Sequence, residues 1–271
     1  MTQGKKVASP AAQYFAEVLR LLRTSAGLSQ NELGARMNYT GAAVSAVETG
    51  AKPATDEFIE AAEQALGAGG VLRAASKYVR LERYPEYFQG FVQLEQDALS
   101  VMSWCTHVID GLLQAEDYAR ELLRCGFPPI AEEEIEPLTT ARLERAVLLE
   151  RKPVCVVDVV LDEAALRRQV GTADTMKRQY EHLLSCAQRP NITVQVMPTT
   201  MALHAGLHGP MKLVETAECE RLVYMENNGK STLVSKPDEV GVLARRCAMI
   251  RSQALCPEGS LILIEQLAGE L

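Results

Sequence analysis

The sequence lacks most of what a membrane, exported or metal-dependent protein needs. No stretch approaches the ~18 uninterrupted apolar residues of a membrane span, and the longest candidate, Pro153 to Leu161, is of strand length. Lys5 and Lys6 stand near the N-terminus with no apolar run behind them, so no secretory signal is predicted and a cytoplasmic protein is expected. The seven cysteines (Cys105, Cys125, Cys155, Cys186, Cys219, Cys247, Cys256) include no Cys-x-x-Cys pair and have no histidine at ligand spacing. An odd count without an export signal predicts reduced, mostly buried thiols and no metal. Neither Gly-x-Ser-x-Gly nor a phosphate-binding glycine-rich loop is present. No catalytic residue, no cofactor and no enzymatic activity are predicted.

What remains is a chain of 271 residues, long enough for more than one core. Its net charge of −7 is unevenly spread. Up to Ala54, Lys5, Lys6, Arg20, Arg23, Arg36 and Lys52 face only Glu17, Glu32 and Glu48, a surplus of three positive charges, and the rest of the chain carries ten net negative ones. Like charge repels phosphate, so only the N-terminal end is suited to approach a polyanion.

That end reads as four short helices. Ser9 is placed as the cap of a helix from Pro10 to Ala26, with Phe15, Val18, Leu19 and Leu22 as its apolar stripe and Gly27 as its stop. Ser29 and Glu32 are spaced as a capping box for a second helix to about Met37. Asn38 and Tyr39 make a tight turn, Thr40 caps a third helix that Gly50 ends, and a fourth runs from Thr55 to Leu66. This is the layout of a helix-turn-helix domain. Through Leu28-Ser29-Gln30-Asn31-Glu32-Leu33 and Val44-Ser45-Ala46-Val47-Glu48-Thr49-Gly50, residues 11–67 resemble the Xre/Cro-repressor family, whose lambda-repressor-like domain binds duplex DNA.

The resemblance implies that Gln30 meets a phosphate or a flanking base and that the third helix enters the major groove. The implied DNA-binding set is Ser29, Gln30, Asn31, Tyr39, Thr40, Gly41, Ala42, Ser45, Ala46 and Lys52. No Arg, Asn or Gln stands on the outward positions Thr40, Gly41, Ala42, Ser45 and Ala46 to make bidentate bonds to base edges. Small residues let a helix sit deep, and reading then leans on Tyr39, Thr40, Ser45, Gln30 and DNA shape. Glu48 carries the wrong charge for phosphate and is assigned a structural role.

Gly67-Ala68-Gly69-Gly70 marks a boundary, giving a division into residues 1–70, a helical connector and start of the next domain at 71–150, and an α+β part at 151–271. Helices are expected over 71–83, Phe91 to Trp104, Gly111 to Cys125 and Thr139 to Leu149, with Glu132, Glu133, Glu134 and Glu136 as a solvated acidic turn. The basic face of the first, with Arg73, Lys77, Arg80 and Arg83, reads as solvated rather than as a second DNA contact. Val154 to Leu161 is β-branched enough for a strand buried on both faces, where Asp158 needs a partner such as Arg167, Arg168 or an interface, unless one face is solvated. A helix from Thr175 to Gln188 and a strand from Asn191 to Pro198 complete a right-handed parallel βαβ unit. Met211 to Glu215 and Arg221 to Glu226 form an antiparallel pair, and a final helix spans Pro237 to Leu255. The fold class is therefore multi-domain: an all-α N-terminal domain followed by an α+β domain with a small sheet packed by helices.

Four further blocks (112–119, 161–167, 191–196 and 204–210) resemble the large domain that follows an Xre-type module in actinobacterial, WhiJ-like regulators. That resemblance covers residues 85–268 and implies a DNA-binding repressor, associated with the nucleoid, whose second domain forms a homodimer and receives a small partner protein or a small-molecule effector. The alternative it implies is an antitoxin-like member of a protein pair that binds the small partner and autoregulates its operon. The loop from Thr199 to Pro210, with His204, Gly206 and His208, contains Gly, joins two strands and carries little charge, and is the expected ligand or partner contact, while its Gly and Pro disfavour a helical two-histidine metal site.

Overall fold

The computed structural model describes residues 10–81, 84 and 86–271, and the chain divides after Tyr84 into two compact units. The expected cap Ser9 lies outside the described residues.

The first unit is built from α1 (Pro10–Ser25), α2 (Gln30–Arg36), α3 (Gly41–Glu48), α4 (Asp56–Leu66) and α5 (Val71–Leu81). Its core gathers Phe15, Leu19, Leu33, Val44, Phe58 and Ile59. The division expected at residue 70 falls inside this unit, because α5 buries Leu72 and Ala75 in the same core. The buried Glu63 of α4 holds the start of α5 by accepting from the backbone N–H groups of Gly70, Leu72 and Arg73, which have no partner within their own helix.

The second unit opens with α6 (Glu86–Asp97) and β1 (Ser100–Cys105). A 3-10 turn at Gly111–Leu113 leads into α7 (Glu116–Arg124) and α8 (Glu132–Glu144), and a further 3-10 turn follows at Arg145–Leu149. Then come β2 (Val156–Asp162), α9 (Glu163–Arg167), α10 (Ala173–Ala187), β3 (Ile192–Met197), β4 (Met211–Glu215), β5 (Arg221–Asn227), β6 (Lys230–Val234), α11 (Pro237–Gln253) and α12 (Pro257–Gly269). Among the described residues the strands form one six-stranded sheet in the order β3-β2-β1-β4-β5-β6. β1, β2 and β3 are parallel, and β4, β5 and β6 continue antiparallel.

Both faces of the sheet are covered. Val157, Val159 and Leu161 point to one core, with Tyr118, Leu183 and Ile264 from α7, α10 and α12, while Val160 joins Trp104, Met211, Cys247 and Ile250 in the other, under α11. The α+β class, the β2-α-β3 unit and the β4/β5 pair agree with the sequence reading.

Six readings are corrected. Trp104 lies on β1 rather than at the end of a helix; four consecutive buried residues, Val101 to Trp104, leave no alternation to separate a strand from a buried helix. The helix expected from Gly111 is interrupted, because Asp110 accepts from Leu112 N–H and caps a short 3-10 turn before α7 begins. The acidic run Glu132, Glu133 and Glu134 opens α8 instead of forming a turn, where the positive end of the helix dipole favours it, and Glu132 and Glu136 pair with Arg124 and Arg120. Asp158 pairs with Arg251 of α11 at 2.9 Å and with neither Arg167 nor Arg168. A last helix, α12, follows the one expected to be final. Of the thiols, Cys155, Cys186 and Cys247 are buried, but Cys125, Cys219 and Cys256 are exposed, so the thiols are less buried than expected.

Candidate nucleic-acid interface

The turn between α2 and α3 is fixed by local chemistry. The Ser29 side chain accepts from Glu32 N–H at 3.2 Å while Glu32 accepts from Ser29 N–H at 2.7 Å, the capping box expected. Those bonds hold the Glu32 carboxyl below its ordinary pKa. Asn38 takes a left-handed φ of 57°, and Tyr39 N–H closes the turn on Gly34 O at 2.8 Å. A Cβ at Gly34 would stand 2.8 Å from Tyr39 O and Thr40 C, both backbone atoms, so only glycine lets α3 begin this close to α2. Thr40 then caps α3 by accepting from Ala43 N–H at 3.1 Å.

On α3, Val44 and Val47 are buried, and Gly41, Ala42, Ser45 and Ala46 lie on the less buried sides with Ala42 exposed. Gly41 faces Asn31: a Cβ there would lie 1.8 Å from Asn31 Oδ1. Tyr39 is half-buried and packs edge-on against Phe58, with ring centroids 5.1 Å apart, so it serves the core as well as the turn. Lys52 is exposed beyond α3, where its N–H bonds Ala46 O at 3.1 Å.

Gln30 is not a free arm. Its Nε2 donates to Glu48 Oε2 at 2.7 Å, and Glu48 also receives Arg23 of α1. The structural role expected of Glu48 thus has a physical basis: its charge is cancelled by Arg23, and its side chain is only 3% exposed. Burial alone would raise its pKa, but hydrogen bonds from Arg23 and Gln30 outweigh that and hold it below the ordinary value. Sequence reasoning missed Arg23 because an arginine at the end of an amphipathic helix ordinarily reads as solvated.

The loop expected as a contact in the second unit is folded onto the sheet. Trp104 Nε1–H donates to Gly206 O at 2.9 Å, the His204 ring stands edge-on to Trp104, and Ala205 N–H bonds Gln253 Oε1. His204 Nδ1 accepts from Gly206 N–H at 3.2 Å, whereas His208 is exposed. The structure therefore joins His204 and Gly206 to the core under α11 and leaves His208 outside it. Leu203 and Leu207 of the same loop are 83% and 61% exposed. Among the described residues no group of three His, Cys, Asp or Glu is arranged to hold a metal, and no helix is long and apolar enough to cross a membrane.

Residues 15–75 match a family described as a helix-turn-helix domain. Residues 88–266 match a family described as a domain of unknown function, DUF5753. The chain belongs to the DUF5753 family. In this DUF5753 protein the helix-turn-helix match spans α2, α3 and α4 entire, and with them the turn at Asn38 and Tyr39. It points to a DNA-binding regulator rather than an enzyme. No curated protein and no solved structure matches the DUF5753 chain.

Proposed function

We propose that the protein is a sequence-specific transcriptional repressor that binds duplex DNA as a homodimer, with α3 in the major groove and the second unit supplying dimer contacts and a receptor for an effector or a small partner protein. The observation that carries the reading is the joint geometry of Arg23, Glu48 and Gln30. It neutralises the one carboxylate on α3 and holds the Gln30 amide at the start of α2, beside a helix face of small residues. Small residues allow close approach, and phosphate contacts from backbone N–H groups at helix starts position the duplex. A module with so few base-reading side chains needs a second copy on a neighbouring half-site, about 34 Å away, to reach ordinary specific affinity.

The exposed Leu203 and Leu207 support a second reading in which the loop contacts a partner protein, as in an antitoxin-like pair. A cytoplasmic, nucleoid-associated protein follows from either reading.

Genome-wide mapping of bound DNA followed by titration of a recovered site tests the proposal. A palindromic site bound by two chains per duplex is the expected result. A protein that is monomeric by light scattering and still binds its operator as a monomer would remove the dimer from the proposal, and no enriched sites at all would remove the regulator.

A further inference from the structure

A cavity of about 220 Å³ lies on the sheet face beneath α11. Its floor follows from strand register. Asp158 of β2, Met102 of β1 and Leu213 of β4 stand side by side in one rung, and two residues along, Ser100 of β1 faces Glu215 of β4, which faces Arg221 of β5. Residues two apart point to the same side of a strand, so both rungs look toward α11. The roof is made of small side chains, Ala244, Cys247 and Ala248, spaced to share one helix face. One turn on, Arg251 closes an end by its ion pair with Asp158.

The chemistry of the lining is mixed in a particular way. The centre is apolar, through Met102, Leu213 and the alanines, and burial pushes the Cys247 thiol up to about 11, which keeps it neutral. The ends are charged. Arg251 engages Oδ2 of Asp158, and Ser100 donates to Oε2 of Glu215 at 3.2 Å, so each carboxylate keeps a second oxygen for another donor. Arg221 is exposed at the rim and makes no ion pair among the described residues, although Glu215 is its register partner. Asp158 and Glu215 stand two strands and two residues apart, about 12 Å, at opposite ends of the cavity. The volume is below the ~300–1,000 Å³ of clefts that hold drug-sized molecules, which selects a small metabolite.

We propose that this cavity is a ligand site for a small zwitterion of the α-amino-acid class, its ammonium taken by Glu215, its carboxylate by the neighbouring Arg221, and an apolar side chain laid between Met102 and the alanines of α11 toward the Asp158–Arg251 pair. The proposal rests on the effector reading given above for what binding accomplishes, but not for the site itself. A purely anionic ligand meets two carboxylates here and a purely cationic one meets two guanidinium groups, so only a molecule carrying both charges is matched.

Calorimetry on the full-length protein with the proteinogenic amino acids, one at a time at millimolar concentration, tests it. Binding is expected for members with unbranched or γ-branched apolar side chains, such as methionine and leucine, and not for their N-acetyl or methyl-ester derivatives, each of which lacks one charge. Arg221→Gln, a change at an exposed position, is expected to weaken binding by about tenfold or more. Ala248→Phe fills the cavity and is expected to abolish binding; Ala244→Val narrows it with less added volume if the larger change disturbs folding, which Trp104 fluorescence reports. Failure of every amino acid to bind, or equal affinity in Arg221→Gln, overturns the proposal. Operator titrations with and without the bound amino acid separate the two readings. Binding without any change in operator affinity keeps the site and removes the effector role, whereas an operator response that survives both cavity-filling changes places the effector elsewhere and removes this site.

Discussion

Arg23 of α1 and Glu48 at the end of α3 meet through two bonds, Nε to Oε1 at 2.6 Å and Nη2 to Oε2 at 2.9 Å, and both side chains are shielded from solvent. Arg23 also donates to Leu28 O at 2.6 Å, so one guanidinium ties the loop before α2 to the end of α3. Removing one partner of such a pair leaves an uncompensated charge. Arg23→Ala is expected to lower the stability of the first unit by about 3 kcal/mol or more. Because the only tryptophan, Trp104, lies in the second unit, circular dichroism should register the loss while Trp fluorescence unfolds at its usual midpoint. Coincident, unchanged transitions by both probes would show that the pair contributes little.

The same pair sets a pH dependence. Glu48 titrates below its ordinary value when folded, so its contribution is complete above the unfolded carboxylate pKa of about 4.3 and drains away as pH falls through the lower folded value. The melting temperature of the first unit is expected to fall more steeply below about pH 4.3 in the wild type than in Glu48→Gln. Parallel curves for the two proteins would contradict this.

For the proposed DNA face, Ala46→Glu puts a carboxylate on the outer side of α3 and is expected to abolish operator binding with the fold intact. Gln30→Ala is expected to weaken binding by about 1–3 kcal/mol if the amide contacts DNA directly. Thr40→Ala loses a cap worth about 1 kcal/mol of stability in addition to any contact, so Thr40→Ser, which keeps the hydroxyl, is the control. Anisotropy titrations at two salt concentrations check all of these, and unchanged affinity in Ala46→Glu would turn α3 away from the groove.

In the second unit Arg145 grips Glu95 at 2.8 and 2.9 Å, while Lys212 lies 3.3 Å from Glu95 and 2.8 Å from Asp110, all largely buried. Burial would raise the Asp110 pKa and lower that of Lys212, but their mutual attraction wins in both, so Asp110 is held far below and Lys212 above its ordinary value. Lys212→Met strands the Asp110 carboxylate and is expected to destabilise this unit by about 3–5 kcal/mol. The double change Lys212→Met with Asp110→Asn should recover part of that loss, as read by Trp104 fluorescence in urea. No recovery would mean that Lys212 acts through packing on Phe91, which its ammonium approaches to 5.7 Å from the ring centre.

Much of the first unit was legible because its signals are local. Ser29 with Glu32, and Thr40, each cap the helix that follows them in sequence, and each is found doing so. The second unit was legible where strands alternate or stand alone between turns, as in β3, β4 and β5. It failed where burial is two-sided, as in β1, where Trp104 follows three other buried residues. Long-range partners were also out of reach: nothing near Asp158 in sequence indicates Arg251, and nothing near Gln30 indicates that Glu48 would take its amide. The α12 start did carry a signal, Pro257 followed by Glu258, that the sequence reading passed over.

Gly206 gives the sharpest test of how the 199–210 loop sits. Its backbone abuts the N–H edge of the indole of Trp104, which is 1% exposed and donates Nε1–H to Gly206 O. A Cβ at this position would come within 2.5–2.7 Å of three ring atoms of Trp104, closer than side chains approach one another. The ring is held by the core under α11 and cannot swing aside, so the loop must lift. Gly206→Ala is therefore expected to break the indole hydrogen bond and to cost about 1–3 kcal/mol, the range for overpacking a tight contact. Lifting the loop admits water, so Trp104 emission should move to longer wavelength as stability falls. His204→Ala removes the edge contact but not the hydrogen bond, and His208→Ala touches an exposed residue, so a smaller shift is expected for the first and none for the second. If Gly206→Ala kept both the emission maximum and the unfolding midpoint, the loop would not be seated on Trp104. The exposed Leu203 and Leu207 would then belong to a freely moving segment rather than to a surface displayed by a fixed one.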